Sequence, residues 1–147
     1  MNPRSSSTSQ LPPLPADPQE IESYLSAFTN FEKEIPLSRH RRTLGPLRAR
    51  SLLTEAGLLP PRAPVIQVAG TKGKGSTVLW MESLLEKRGV LTAAAISPHL
   101  EHLGERVRVG GRPSSPGQLL QALERLHPPL ERLIEKDVSL RPTFFDL

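Results

Sequence analysis

Residues 70–76 read Gly70-Thr71-Lys72-Gly73-Lys74-Gly75-Ser76, three glycines and two lysines in seven positions. Phosphate oxygens need several donors at close range. Successive backbone N–H groups in a loop poor in side chains supply them, helped by the positive end of a helix that starts there. Thr71, Lys72, Gly73, Lys74, Gly75 and Ser76 are therefore the candidate loop for a nucleotide triphosphate, and Lys74, a point charge for the β- and γ-phosphates, is the candidate catalytic residue. Ser76 and Thr77 add hydroxyls at the helix start. The spacing departs from G-x-x-x-x-G-K-[ST]: Val68 stands where the first glycine would be, and Gly75 where Ser or Thr would follow the lysine. The plain alternative is a turn joining strand to helix, but a turn needs fewer glycines and no lysines.

The elements around the loop must place it. Residues 64–69, PVIQVA, are apolar and rich in β-branched side chains, with proline before and glycine after, as in a buried strand. Over 76–88 the residues Val78, Met81, Leu84 and Leu85 share one helical face, Gly89 closes that helix, and 91–96 reads as the next strand. Strand, loop, helix and strand make a βαβ unit with parallel strands and the loop at their carboxyl ends, so the predicted class is α/β, a P-loop NTPase-like parallel sheet flanked by helices. Upstream, Asp17 as N-cap and Pro18 at the first helical position open a helix over 18–33, and a second covers 46–56 up to Gly57. Downstream, 106–109 alternates like a strand, Gly110-Gly111 marks a turn, and 116–126 reads as a helix that Pro128-Pro129 interrupts.

A length of 147 residues allows one modest domain at most, and a hydrophobic fraction of 37% with 16 prolines predicts that part of the chain is unpacked. Residues 1–17 are expected to form a disordered tail and 18–147 the folded part. The absence of cysteine leaves no disulfide framework and no thiolate metal site. No apolar run reaches the length of a signal-peptide core or a membrane span, so a cytoplasmic chain without a membrane partner is expected. The net charge is +4, and Arg39, Arg41, Arg42, Arg48 and Arg50 form a local basic cluster. That cluster has no interleaved aromatics for base stacking, which argues against a nucleic-acid partner.

Three ordered motifs carry a family resemblance. Residues 68–77 are followed by Ser97-Pro98-His99-Leu100 and then by Glu105-Arg106-Val107-Arg108-Val109, and together they strongly resemble the folylpolyglutamate synthase and dihydrofolate synthase family of the Mur ligase superfamily. The resemblance extends more weakly to 44–48 and 143–146. It implies a Mur ligase ATP-binding domain that uses ATP and magnesium to join L-glutamate to the carboxylate of folate or dihydropteroate, through an acyl phosphate, in a monomer. It also implies that Ser97 contributes to the magnesium site. Thr143, Phe144, Phe145 and Asp146 match the segment that meets the pterin, with Asp146 one methylene shorter than the usual glutamate. Glu105, Arg106 and Arg108 match a strand and loop beside the active site, for which a charged edge strand is an equal reading. His99 is read as a loop histidine. Thr43 and Leu44 fall in a segment that lines the substrate cleft, with Arg41 and Arg42 available for an anionic substrate. The later acid, histidine and carbamylated lysine of the family, and its C-terminal domain, have no counterpart in these residues, so the chain is expected to be an inactive N-terminal fragment. Two alternatives stay open: another Mur-type ligase, or a non-catalytic nucleotide-binding module.

Overall fold

The computed structural model describes residues 11–30 and 46–147. The expectations for 1–10, for the far end of the first helix, and for Thr43, Leu44, Arg39, Arg41 and Arg42 lie outside the described residues. Two compact units form, one from the described residues up to 60 with 120–147 and one from 61–119.

In the first unit Asp17 caps as its chemistry predicts. Its Oδ1 accepts from the Gln19 N–H at 2.8 Å, and Pro18 opens a 3₁₀ turn, Pro18–Glu20, that runs into α1, Ile21–Ser26. The helical spacing buries Ile21, Tyr24, Leu25 and Phe28. The helix stops at Ser26 and does not continue through residues 27–30. The Ala27 and Phe28 N–H groups turn tightly onto the Tyr24 and Leu25 carbonyls, and the Thr29 carbonyl accepts from Phe144 N–H at 3.0 Å. A long-range bond thus takes an acceptor that a continuing helix would have kept for its own ladder. The second helix, α2, Leu47–Glu55, lies within its predicted range, buries Leu52, and is followed by Gly57 at φ 68°.

The predicted break at Pro128-Pro129 is corrected. One helix runs from Pro116 to Lys136 with both prolines inside it, and it is called α4 below. An interior proline costs about 3 kcal/mol in lost bonding and ring clash. On either side of the pair, Leu123, Leu130, Leu133 and Ile134 are buried at helical spacing. Four such side chains, at about 1.5–3 kcal/mol each, match or outweigh that cost. The Tyr24 ring packs 5.4 Å from Phe28 and 6.4 Å from His127, Arg141 lies 5.3 Å over Phe28, and burial pushes the Tyr24 hydroxyl up to about 12.

The second unit contains α3, Lys74–Glu86, then β1, Ala93–Ala95, a 3₁₀ turn at Leu103–Arg106, β2, Val107–Val109, and β3, Arg112–Pro113. Its sheet has the order β1-β2-β3 and is antiparallel throughout, with Ala93 opposite Val109 and Val109 opposite Arg112. Gly110 and Gly111, at φ 59° and 72°, make the two-residue turn that the sequence marks, with the positive angles a tight hairpin needs. The parallel βαβ pairing is not among the described ladders. Residues 64–69 form no strand, and Val65 and Ile66 are 74% and 64% exposed. A parallel strand depends on a hydrogen-bonded neighbour and on cover for both faces. Neither is present among the described residues, and β1 finds its partner in the local β2. Leu84, expected on the buried face of α3, is exposed; Glu82 is the buried residue of that helix. No helix among the described residues is long and apolar enough to cross a membrane.

Backbone approach is tightest at Gly104, where an added Cβ would collide with the Ser114 carbonyl. The Ser114 N–H is shared between the Gly104 and Val107 carbonyls at 3.1 and 2.9 Å. Gly104→Ala is expected to push Ser114 away and cost on the order of 1–3 kcal/mol. Urea denaturation with amide exchange at Ser114 checks this, and an unchanged midpoint with unchanged exchange contradicts it.

Candidate functional site

The helix that follows the glycine loop starts two residues earlier than predicted, so Lys74, Gly75 and Ser76 form the first turn of α3. Gly73 is its N-cap, at φ 76° and ψ 1°, a left-handed conformation that glycine adopts without strain. The Thr77 N–H and hydroxyl both donate to the Gly73 carbonyl, at 2.9 and 2.8 Å, which closes the first helical bond. A helix start leaves the N–H groups of Lys74, Gly75 and Ser76 without intrahelical acceptors. Thr71, Lys72, Lys74 and Ser76 are exposed. The Lys74 Nζ folds back onto the Thr71 carbonyl at 3.3 Å, a long contact that a phosphate oxygen could replace at little cost. Cationic side chain, open N–H groups and left-handed glycine are therefore gathered at one helix end.

Ser97 lies just beyond β1 and is exposed, with a cis bond to Pro98, and the Ile96 N–H before it is held by the Arg106 carbonyl at 3.0 Å. The chain after it is tied by Glu105. One carboxylate oxygen accepts from Leu100 N–H at 2.8 Å, and the other from Glu101 and His102 N–H at 2.9 and 3.1 Å. These backbone donors, Leu100 first, hold the Glu105 carboxyl down at about 2. The neighbouring Arg106 donates from Nε to His99 Nδ1 at 2.8 Å, which assigns the ring proton to Nε2 and engages His99 in the loop's own structure. Arg108 donates to Glu82 Oε2 and to the Gly111 carbonyl, each at 2.7 Å, and so joins β2 to α3 and the hairpin turn.

Glu82 was missed by sequence reasoning. Its signal was present as an acid four residues after Val78 and three before Leu85, on the face assigned to the core. Glu82 Oε1 is buried without a hydrogen-bond partner among the described residues. At the end of α3, Glu86 Oε1 accepts from both the N–H and the hydroxyl of Thr92, at 2.8 and 2.6 Å, and anchors the entry to β1.

The remaining predicted residues, Thr143, Phe144, Phe145 and Asp146, belong to the first unit, whereas the glycine loop and Ser97 belong to the second. Asp146 Oδ2 accepts from the Thr143 N–H and hydroxyl, both at 2.8 Å, and from Arg48 Nε at 3.4 Å. That oxygen is thus engaged by its own turn and by α2. The Phe144 and Phe145 rings meet edge to face at 5.4 Å, and Phe145 is 44% exposed. Among the described residues no group of three or more acidic or histidine side chains is placed to hold a metal ion. Ser97, Ser76 and Thr77 carry hydroxyl oxygens that could contribute to a magnesium ion together with phosphate and water. Neutral hydroxyls of this kind suit a magnesium ion that arrives with a nucleotide, since magnesium keeps much of its hydration and shares phosphate oxygens.

No protein-family model matches this chain. The structure superposes on an FPGS–AMPPCP–folate complex with a TM-score of 0.73 and 25% identity, over 88% of this chain and 30% of that one. The class is therefore that of the folylpolyglutamate synthase fold. In sequence, the chain is 38% identical over 84 residues to human mitochondrial folylpolyglutamate synthase, covering 57% of this chain and 14% of that protein. It is 30% identical over 100 residues to the Bacillus subtilis dihydrofolate synthase/folylpolyglutamate synthase, covering 68% and 23%. The chain is a relative of the folylpolyglutamate synthase and dihydrofolate synthase family, and it spans less than a third of the length of the proteins it matches.

The Glu105 bonds have a defined pH dependence. A carboxyl lowered from its ordinary 4.5 to about 2 contributes fully above about pH 4.5, and loses that contribution as pH falls through about 2. The amide resonances of Leu100, Glu101 and His102 are expected to titrate near pH 2 and to stay protected at pH 4. A midpoint near 4.5 contradicts the bonding scheme.

Proposed function

We propose that residues 70–76 bind ATP, and that they serve an ATP-dependent ligase that adds L-glutamate to a folate or dihydropteroate carboxylate. The single observation that carries this reading is the left-handed Gly73 at the start of α3, which opens three backbone N–H groups beside Lys74. The names and the bound AMPPCP and folate of the relatives support the choice of substrate class over another Mur-type ligase.

A carboxylate is a poor electrophile until one of its oxygens belongs to a phosphate leaving group. The acid attacks the γ-phosphorus and ADP departs. The glutamate amine then attacks the acyl carbon, gives up a proton, and expels phosphate. Lys74 would leave the Thr71 carbonyl and take a γ-phosphate oxygen, while the N–H groups of Lys74, Gly75 and Ser76 hold the neighbouring oxygens as charge gathers on them. Ser97, Ser76 and Thr77 would offer hydroxyl oxygens to magnesium, whose chemistry is to neutralise the β- and γ-oxygens. Phe145 offers a ring to a flat heterocycle. The 147 residues alone are proposed to bind nucleotide without ligating.

Calorimetric titration with a nonhydrolysable ATP analogue tests the first part. Lys74→Ala removes a charge-assisted contact and is expected to weaken binding by on the order of 10- to 100-fold; equal affinity in the variant sinks the reading. ADP release from the chain with dihydropteroate or tetrahydrofolate plus glutamate is expected to be absent, and turnover would disprove the second part.

A further inference from the structure

We infer that Glu105 is the positioning residue of the loop that presents Ser97. Its carboxylate gathers the N–H groups of Leu100, Glu101 and His102 and thereby fixes the path of the chain between β1 and β2. The inference rests on the proposed nucleotide site and on Ser97 supplying an oxygen to the magnesium that accompanies the nucleotide.

At its tip this loop is held by backbone bonds and not by burial. Leu100 is 91% exposed, and Glu101 and His102 are exposed as well, so burial does not anchor these three residues. An ionised carboxylate, with two oxygens that only accept, suits three successive amides converging on one group. Glu105 is in turn fixed by the 3₁₀ turn in which it sits, since it and His102 form a reciprocal capping box at the start of Leu103–Arg106. Arg106, the next residue, binds His99 from the same turn at 2.8 Å. Adjacent residues therefore grip the loop at its imidazole and along its backbone. Ser97 stands two residues before the gripped segment, and the Ile96 N–H on its other side bonds the Arg106 carbonyl. The serine is bracketed by bonds that converge on 105 and 106.

A glutamine at 105 keeps one carbonyl oxygen and replaces the other with an NH₂ that cannot accept. The loop then loses at least part of its bonding, while α3 and the glycine loop keep all of theirs. The consequence is selective: metal-dependent binding suffers and metal-free binding does not. A residue with a merely structural role would affect both alike.

The test uses the full 147-residue chain and a nonhydrolysable ATP analogue, titrated with and without magnesium, in wild type, Glu105→Gln and the neighbouring control Glu101→Gln. Glu105→Gln is expected to bind the metal-free analogue within about twofold of wild type. The tightening that magnesium brings should fall by on the order of tenfold or more, the scale seen when a residue that orients a metal ligand is changed. Amide exchange should quicken at Leu100, Glu101 and His102 and stay unchanged in α3, and Glu101→Gln should match wild type. Unaltered magnesium dependence in Glu105→Gln overturns the inference, as does an equal loss with and without metal. If wild type binds no analogue at all, the nucleotide reading fails and takes this inference with it. If wild type binds but ignores magnesium, the nucleotide reading stands and the inference falls.

Discussion

The second unit depends on the ion pair between Arg108 and Glu82. Every fully buried hydrophobic side chain among the described residues belongs to the first unit, and the deepest side chain of α3 is a carboxylate. Arg108 reaches it at 2.7 Å and bonds the Gly111 carbonyl at the same time. A buried pair of this kind seldom adds much net stability, because desolvation consumes most of the Coulomb attraction. It is unforgiving of loss, however, since one partner without the other is a buried charge. The same logic recurs nearby, with Glu86 holding Thr92 and Glu105 holding the loop after Ser97. The geometry of this unit is specified by three carboxylates more than by apolar burial. Its apolar side chains, Val65, Ile66, Trp80, Leu91 and Leu100, are largely exposed.

This distribution explains which elements were legible in the sequence. Signals that act within a few residues were read correctly: Asp17 with Pro18 at a helix start, Gly57 and Gly89 at helix ends, and Gly110-Gly111 at a hairpin. Each is decided by one residue's conformational freedom or by one side-chain oxygen. Residues 64–69 failed for a different reason. Strand propensity describes how a segment fits a half-covered pleated surface, and that surface comes from neighbours whose presence no local pattern reports. The helix over Pro128 and Pro129 failed in the opposite sense. There a strong local breaker was overridden by Leu123, Leu130, Leu133 and Ile134 packing on both sides of it.

The candidate site divides along the same line. Gly73, Lys74 and Ser76 are contiguous, and their arrangement at the start of α3 follows from glycine chemistry and the helix that begins there. Glu82 and Arg108 are 26 residues apart, so nothing in either local pattern pairs them. Glu105 lies only five residues from Leu100, yet its role depends on the loop folding back, which periodicity does not describe. Asp146 is held by contacts that the motif does not describe. Its Oδ2 is engaged by the Thr143 N–H and hydroxyl and by Arg48, so the turn holds a bond that a glutamate, one methylene longer, would form differently.

The contrast between Lys74 and Glu105 bears on how such a site works. Lys74 makes one long contact, 3.3 Å to a carbonyl, and is exposed, so moving it to a phosphate sacrifices almost nothing. Glu105 makes three short contacts to backbone and cannot move without releasing a loop. A group that must follow charge during phosphoryl transfer benefits from being loosely held. A group that sets where an oxygen ligand stands benefits from being fixed, because preorganised donors and ligands cost no rearrangement when charge develops. The two residues sit in one unit that has no buried hydrophobic side chain among the described residues, and the proposed roles match the difference in how firmly each is held.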